Sequence, residues 1–183
     1  MRTNQLLAKM IGHSPLPAAM AGRGILEGYQ LAAKYVTATV CVKSYSVELA
    51  PPALMGSDVG ICAVSGFPHG NSTSAIKVAE TREAIGDGAA EIDMVINIGK
   101  ALSGEWAYIS SEIEAINEAV ASADAILKVV LRPISCKPPM SFGCATSARA
   151  FGSRLSRYRR ATDLPDSRMA STATRALPTT TSA

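Results

Sequence analysis

A carboxylate and an ammonium, Asp93 and Lys128, sit at matching places in two hydrocarbon-rich runs. The first run, Glu91-Ile92-Asp93-Met94-Val95-Ile96-Asn97, is short and β-branched and lies between Gly88-Ala89-Ala90 and Gly99. It reads as a buried β-strand with a carboxylate in its middle and an amide, Asn97, near its end. Side chains alternate along a strand, so Glu91, Asp93, Val95 and Asn97 share one face and Ile92, Met94 and Ile96 the other. An unpaired buried carboxylate is costly, so its presence predicts a partner or a site. The second run, Ile126-Leu127-Lys128-Val129-Val130-Leu131, sets Lys128 and Val130 against Leu127, Val129 and Leu131. A third, Thr39-Val40-Cys41-Val42-Lys43, alternates Thr39, Cys41 and Lys43 with Val40 and Val42. A buried ammonium is tolerable when a carboxylate matches it. Asp93 and Lys128 occupy equivalent inward phases, so together they predict a charge-paired polar site. The bland readings are a solvated Asp on an edge strand and a Lys that snorkels to water. The repetition of one design across the strands favours the paired interior.

Helical patterns separate these strands. Ile25 to Lys34 precedes the run at 39–43. A further strand pattern, Val59-Gly60-Ile61-Cys62-Ala63-Val64-Ser65, is followed by a helix from Asn71 to Gly86, with Asn71 or Ser72 as N-cap. Trp106, Ile109, Ile113, Ile116 and Val120 recur at steps of three and four and mark one apolar helix stripe. Strands alternating with helices predict βαβ units and a parallel sheet. The turn Gly66-Phe67-Pro68-His69-Gly70 follows a strand, where α/β proteins place their sites.

The 183 residues suit one ordinary domain, and a hydrophobic fraction of 48% suits a sizeable core. Cys41, Cys62, Cys136 and Cys144 form no C-x-x-C pair and have no nearby His, which argues against a zinc site or a disulfide framework. They fit a reducing, cytoplasmic compartment, and no metal is expected. No run of 18 or more apolar residues suggests a membrane span, and the first residues lack a secretory apolar region. Charge is split. Residues 1–131 hold 9 Lys and Arg against 13 Asp and Glu, a net −4; residues 132–183 hold 9 against 2, a net +7. Such asymmetry marks a basic binding tail or a foreign segment.

Residues from about 9 to 131 resemble deoxyribose-phosphate aldolase. The resemblance is carried by Ala38-Thr39-Val40-Cys41-Val42-Lys43, by Gly66-Phe67-Pro68-His69-Gly70-Asn71-Ser72-Thr73, and by Lys77-Val78-Ala79-Glu80-Thr81. It continues through Gly88 to Gly99 and Leu127-Lys128-Val129-Val130-Leu131. It implies a TIM-barrel, class I aldolase that needs no metal or cofactor. In that family a lysine amine forms an iminium with 2-deoxyribose 5-phosphate. The iminium draws electrons from the breaking carbon–carbon bond, giving glyceraldehyde 3-phosphate and an enamine that becomes acetaldehyde. The resemblance makes Asp93 the proton donor and acceptor, on the family's third strand as counted from the sequence. Lys128 falls in the charge network on the fourth, and Cys41 and Asn97 line the substrate cavity. Its partners would be a phosphorylated sugar and, in a homo-oligomer, further copies of the chain.

The resemblance then breaks. After Leu131 the family continues to a strand bearing the Schiff-base lysine in a Phe-Val-Lys-Thr-Ser-Thr-Gly-Phe-like motif. Here the chain reads Arg132-Pro133-Ile134-Ser135-Cys136-Lys137-Pro138-Pro139, and no Lys follows Lys137. From 132 to 183 there are five Pro, eight Ser and seven Thr without sustained helix or strand period. The nucleophile is expected about 30 residues after Lys128, where Leu155-Ser156-Arg157 stands. The codons TTT-GTC-AAG encode Phe-Val-Lys and, read one base later, Leu-Ser-Arg, so the break is expected to come from a reading-frame change near residue 131. At the other end, Ile11-Gly12-His13-Ser14 has Gly where the family has an Asp, and His13 reads as a packed side chain.

The expected fold is therefore α/β, a truncated TIM (β/α)8 barrel with its first four βα units in 1–131. A basic Ser/Thr/Pro/Arg-rich tail, disordered over 132–183, follows it. The expected function is deoxyribose-phosphate aldolase by family, with no Schiff-base Lys and so no activity in this chain. The alternatives are a non-catalytic chain that pairs with a full-length aldolase, and a nucleic-acid binder acting through its tail. The tail lacks aromatic interleaving and helical phase, which ranks nucleic acid last.

Overall fold

The computed structural model describes residues 2–131 and 154–157. Among these described residues six strands form one sheet in which each pairs with the next in chain order. They are β1 (Gly12–His13), β2 (Thr39–Lys43), β3 (Gly60–Ser65), β4 (Glu91–Val95), β5 (Ile126–Leu131) and β6 (Arg154–Arg157). All five pairings are parallel. A doubly wound sheet reverses its strand order at a switch point, whereas a barrel keeps chain order throughout. The order here is that of a barrel wall.

Helices fill the crossovers: α1 (Arg2–Ala8) precedes β1, and α2 (Gly22–Tyr35) links β1 to β2. A 3-10 turn over Ser44–Leu49 and the short α3 (Ala50–Ala53) lead to β3, then α4 (Ser74–Gly86) to β4. Between β4 and β5 stand α5 (Ile98–Leu102) and α6 (Trp106–Ala121). The α4 N-cap is Thr73, whose Oγ1 accepts the Ile76 N–H at 3.4 Å, rather than Asn71 or Ser72. Among the described residues no helix is long and apolar enough to cross a membrane.

The alternation along each strand divides the interior in two. Val40, Val42, Ala63, Ile92, Met94, Leu127 and Val129 pack in the main core with Ile25 and Tyr29 of α2 and the α6 stripe. Ile109, Ile113, Ile116 and Val120 of that stripe are all buried. Each contributes roughly 1.5–3 kcal/mol of burial, an upper range because unfolded chains already hide some surface. On the opposite phase, Cys41, Cys62 and Val64 cluster with Leu16 and Phe67. Asp93 and Lys128 share that second phase.

Two strands exceed the four expected. β1 has only two residues, too few for any alternation to show. β6 falls inside the segment expected to be a disordered tail, yet its four residues pair with β5. The rest of that tail, 132–153 and 158–183, lies outside the described residues. Counting β1 moves Asp93 to the fourth strand and Lys128 to the fifth. Arg154–Arg157 then occupies the strand that follows Lys128.

Candidate active site

Strand register builds the site. Asp93 pairs across with Lys128 on one side and Val64 on the other, and Cys62 pairs with both Cys41 and Glu91. Two neighbouring rows of one sheet face thus carry two thiols, two carboxylates and the Lys128 ammonium, with Lys43 at the far end of the second row donating to Pro17 O. Lys128 Nζ lies 2.7 Å from Asp93 Oδ1, 3.1 Å from Glu91 Oε2 and 3.5 Å from Cys62 Sγ. Cys41 Sγ donates to the other Asp93 oxygen, Oδ2, at 3.6 Å. Asp93 is only 6% exposed, so the Lys128 contact answers the carboxylate that the strand buries.

Burial by itself would lower the Lys128 pKa. Cys62, Asp93 and Glu91 outweigh it and hold the ammonium well above the ordinary lysine range. Burial also pushes the Cys62 thiol well up, with Cys41 and Asp93 adding to the rise and Lys128 opposing it. Cys62 is therefore a neutral thiol near neutral pH, and the two carboxylates are what hold Lys128 charged. A lysine held as ammonium is a fixed positive charge, not a nucleophile.

The loops around this row are anchored by a second polar system. Lys77 on α4 and Glu112 on α6 form an ion pair at 2.8 Å, with both side chains fully buried. Lys77 Nζ also donates to Val95 O at 2.8 Å, and Glu112 Oε2 accepts the Asn97 N–H at 3.0 Å. The pair therefore clamps the chain as it leaves β4, just beyond Asp93. Glu80 does the same for β3: its Oε2 accepts the Gly66 N–H at 2.8 Å, and its Oε1 lies 3.0 Å from Ser44 Oγ. Gly66 has φ of +66°, and a Cβ there would come within 2.7 Å of Lys77 Cε. Only glycine suits both the left-handed backbone and the passing lysine stem.

The structure brings Asp93, Lys128 and Cys41 together. It places Asn97 differently: its Oδ1 accepts the Lys100 N–H at 3.1 Å and caps α5, and its side chain stays out of the Asp93 ion-pair network. Sequence reasoning also missed Glu91 and Cys62 as contacts of Lys128, and missed the Lys77–Glu112 clamp. One signal for the clamp was present. Glu112 stands three residues after Ile109 and four before Ile116, on the apolar face of α6, where a charge needs a partner.

At β6, Arg154 pairs with Lys128 and so continues the Asp93 row; Arg157 pairs with Leu131, one row above Val130. The four residues Arg154-Leu155-Ser156-Arg157 include no lysine. Cys41, Cys62 and Asp93 also place two sulfurs and a carboxylate oxygen within 4.8 Å of one another, all buried, which is a possible ligand set for a cation.

A family model described as DeoC/LacD family aldolase matches residues 30–143. A protein of Rhodopirellula baltica named deoxyribose-phosphate aldolase is 40% identical over 124 residues, covering 68% of this chain and 52% of that protein. A Streptococcus pneumoniae protein of the same name is 45% identical over 125 residues, 68% of this chain and 56% of that protein. The chain thus spans about half the length of the curated relatives it matches. Among solved structures, a candidate deoxyribose-phosphate aldolase from Coccidioides immitis superposes with TM-score 0.80 at 29% identity. The match covers 85% of this chain and 61% of that one. An aldolase called QR15 superposes with TM-score 0.76 at 25% identity, covering 82% and 66%. With the barrel-wall strand order, the superpositions and a sequence match over most of its length in agreement, this chain belongs to the DeoC/LacD aldolase family.

Proposed function

We propose that this chain carries the proton-transfer and charge-holding part of a deoxyribose-phosphate aldolase site and lacks its Schiff-base nucleophile. Asp93 is the proton donor and acceptor. Lys128 is the fixed positive charge that holds Asp93 in place and would depress the pKa of a nearby lysine amine. Cys41 lines the cavity beside Asp93, and Asn97 shapes its rim through the α5 cap. The substrate class is a phosphorylated sugar, as the names of the relatives indicate. The observation that carries this reading is the ion pair of Lys128 with Asp93 and Glu91 in a chain of this family. It supports a charged Lys128 that cannot itself attack a carbonyl. Arg157 is no substitute, because a guanidinium stays protonated.

The same reading makes the chain inactive alone. Association with further copies or with a full-length aldolase is compatible with it, and a related fold from Aeropyrum pernix is described as tetrameric. The buried free thiols Cys41 and Cys62 suit a reducing, cytoplasmic compartment. Incubation with 2-deoxyribose 5-phosphate and borohydride, followed by intact mass, is expected to leave the chain unmodified. A chain with the alternative reading frame after codon 131 should trap the sugar. In that protein Asp93→Asn should slow turnover while the adduct still forms. A sugar adduct on the present chain would overturn the inactive reading and make Lys128 the first residue to map.

A further inference from the structure

We propose that Cys41, Cys62 and Asp93 form a binding site for a thiophilic divalent cation of the zinc class, which enters by displacing the Lys128 ammonium. The position is already one that holds a cation. Lys128 Nζ sits 2.7 Å from Asp93 Oδ1 and 3.5 Å from Cys62 Sγ, with Cys41 Sγ 3.6 Å from the second Asp93 oxygen. An ammonium makes poor use of sulfur, whereas zinc-class ions bind thiolates and carboxylates together, commonly in tetrahedral sets. The two cysteines are register neighbours on β2 and β3, so the backbone fixes them side by side. The three ligand atoms already lie within 4.8 Å of one another. A tetrahedral site with sulfur about 2.3 Å from the metal needs the sulfurs about 3.8 Å apart, a separation inside the 4.8 Å that bounds this cluster.

The charge balance permits the exchange. With both cysteines as thiols, Asp93, Glu91 and Lys128 sum to −1. Binding a divalent ion converts two S–H groups to two metal–sulfur bonds and releases two protons, with no electron transferred. The sum remains −1. Lys128 keeps Glu91, already 3.1 Å away, as its counter-ion. Two sulfur donors beside one carboxylate suit strongly thiophilic ions and not magnesium or calcium, which take oxygen ligands. The binding itself does not depend on whether the chain turns over a sugar. If Asp93 is the proton carrier, an occupied site would remove it from catalysis.

The test titrates Cd2+ into the full chain with Cys136→Ser and Cys144→Ser, so that only the two thiols of this site remain. One Cd2+ per chain, about two protons released in weak buffer, and ultraviolet thiolate–cadmium absorption for two thiolates are expected. Cys62→Ala should lose about half of that absorption. Lys128→Met, which keeps every ligand and removes the competing positive charge, should tighten binding by about tenfold or more. A merely structural Lys128 would not give that gain. Cadmium uptake without proton release, uptake unchanged by Cys41→Ala with Cys62→Ala, or binding not tightened by Lys128→Met would each overturn the proposal.

Discussion

Replacing Glu112 by Ala should remove much of the stability of this chain, although the residue lies on the helix layer, outside the Asp93–Lys128 row. Glu112 is fully buried; its two oxygens accept Lys77 Nζ at 2.8 Å and the Asn97 N–H at 3.0 Å. Breaking a buried ion pair from one side costs about 3–5 kcal/mol, because the surviving charge stays buried without a counter-ion. An orphaned backbone N–H adds roughly 1 kcal/mol, the low end of the usual penalty, since water can reach the half-buried Asn97. The expected loss is therefore about 4–6 kcal/mol, against the roughly 5–15 kcal/mol that stabilises a whole domain. Lys77→Met with Glu112→Leu removes both charges. It leaves Val95 O and the Asn97 N–H without these partners, so it should cost about 1–3 kcal/mol, less than Glu112→Ala alone. The sign of the pH dependence gives a second readout. Burial lowers the Lys77 pKa, and Glu112 and Glu80 oppose that. Without Glu112 the amine falls further below its unfolded value near 10.5, so the unfolded state binds more protons across that gap. Stability of Glu112→Ala should then rise as pH climbs through the lowered folded pKa, and its deficit should shrink in alkali. Trp106, the one tryptophan of the chain, lies at the start of α6 and reports unfolding in urea by fluorescence. A Glu112→Ala midpoint within about 1 kcal/mol of the parent, or a double variant weaker than either single one, would refute the clamp.

Three further outcomes follow from the geometry. Lys128 should remain an ammonium throughout the ordinary lysine range near pH 10.4; its stabilising contribution is complete below that unfolded value and is lost only as pH rises through its higher folded one. A Cε resonance that titrates at or below the ordinary value would contradict the carboxylate pairing. Gly70→Ala should cost about 2–5 kcal/mol in urea unfolding, because φ at Gly70 is +68° and an added Cβ would overlap the Ile96 carbonyl oxygen; a change under 1 kcal/mol would show that this loop yields freely. Asn97→Ala should lose about 1 kcal/mol through the α5 cap, and Asn97→Asp should recover most of it; equal losses in the two variants would mean that the side-chain oxygen is not what matters.

The wall of the fold and its charged row were legible in the chain. β2, β4 and β5 alternate branched hydrocarbon with functional groups, β3 is a short apolar run ended by a glycine turn, and α2, α4 and α6 carry helical patterns, so local pattern was enough to place them. The phase of Asp93 within Glu91–Asn97, and of Lys128 within Ile126–Leu131, already put both charges on one sheet face. β1 was not legible, because two residues show no alternation. β6 was not, because Arg-Leu-Ser-Arg has no strand signature, and its pairing comes from the open edge of β5 rather than from its own composition. Beyond the Asp93–Lys128 pair, partner choice belonged to the tertiary structure. Lys77 and Glu112 lie 35 residues apart on different helices, and only packing of α4 on α6 makes each the other's counter-ion. Cys62 meets Lys128 through register across two intervening pairings, and Asn97 becomes the cap of α5 just after β4 ends at Val95. Sequence period fixes the face on which a side chain stands, because it follows from local backbone geometry. Which group it meets there depends on how distant strands and helices come into register, and that is settled only when the whole sheet is assembled.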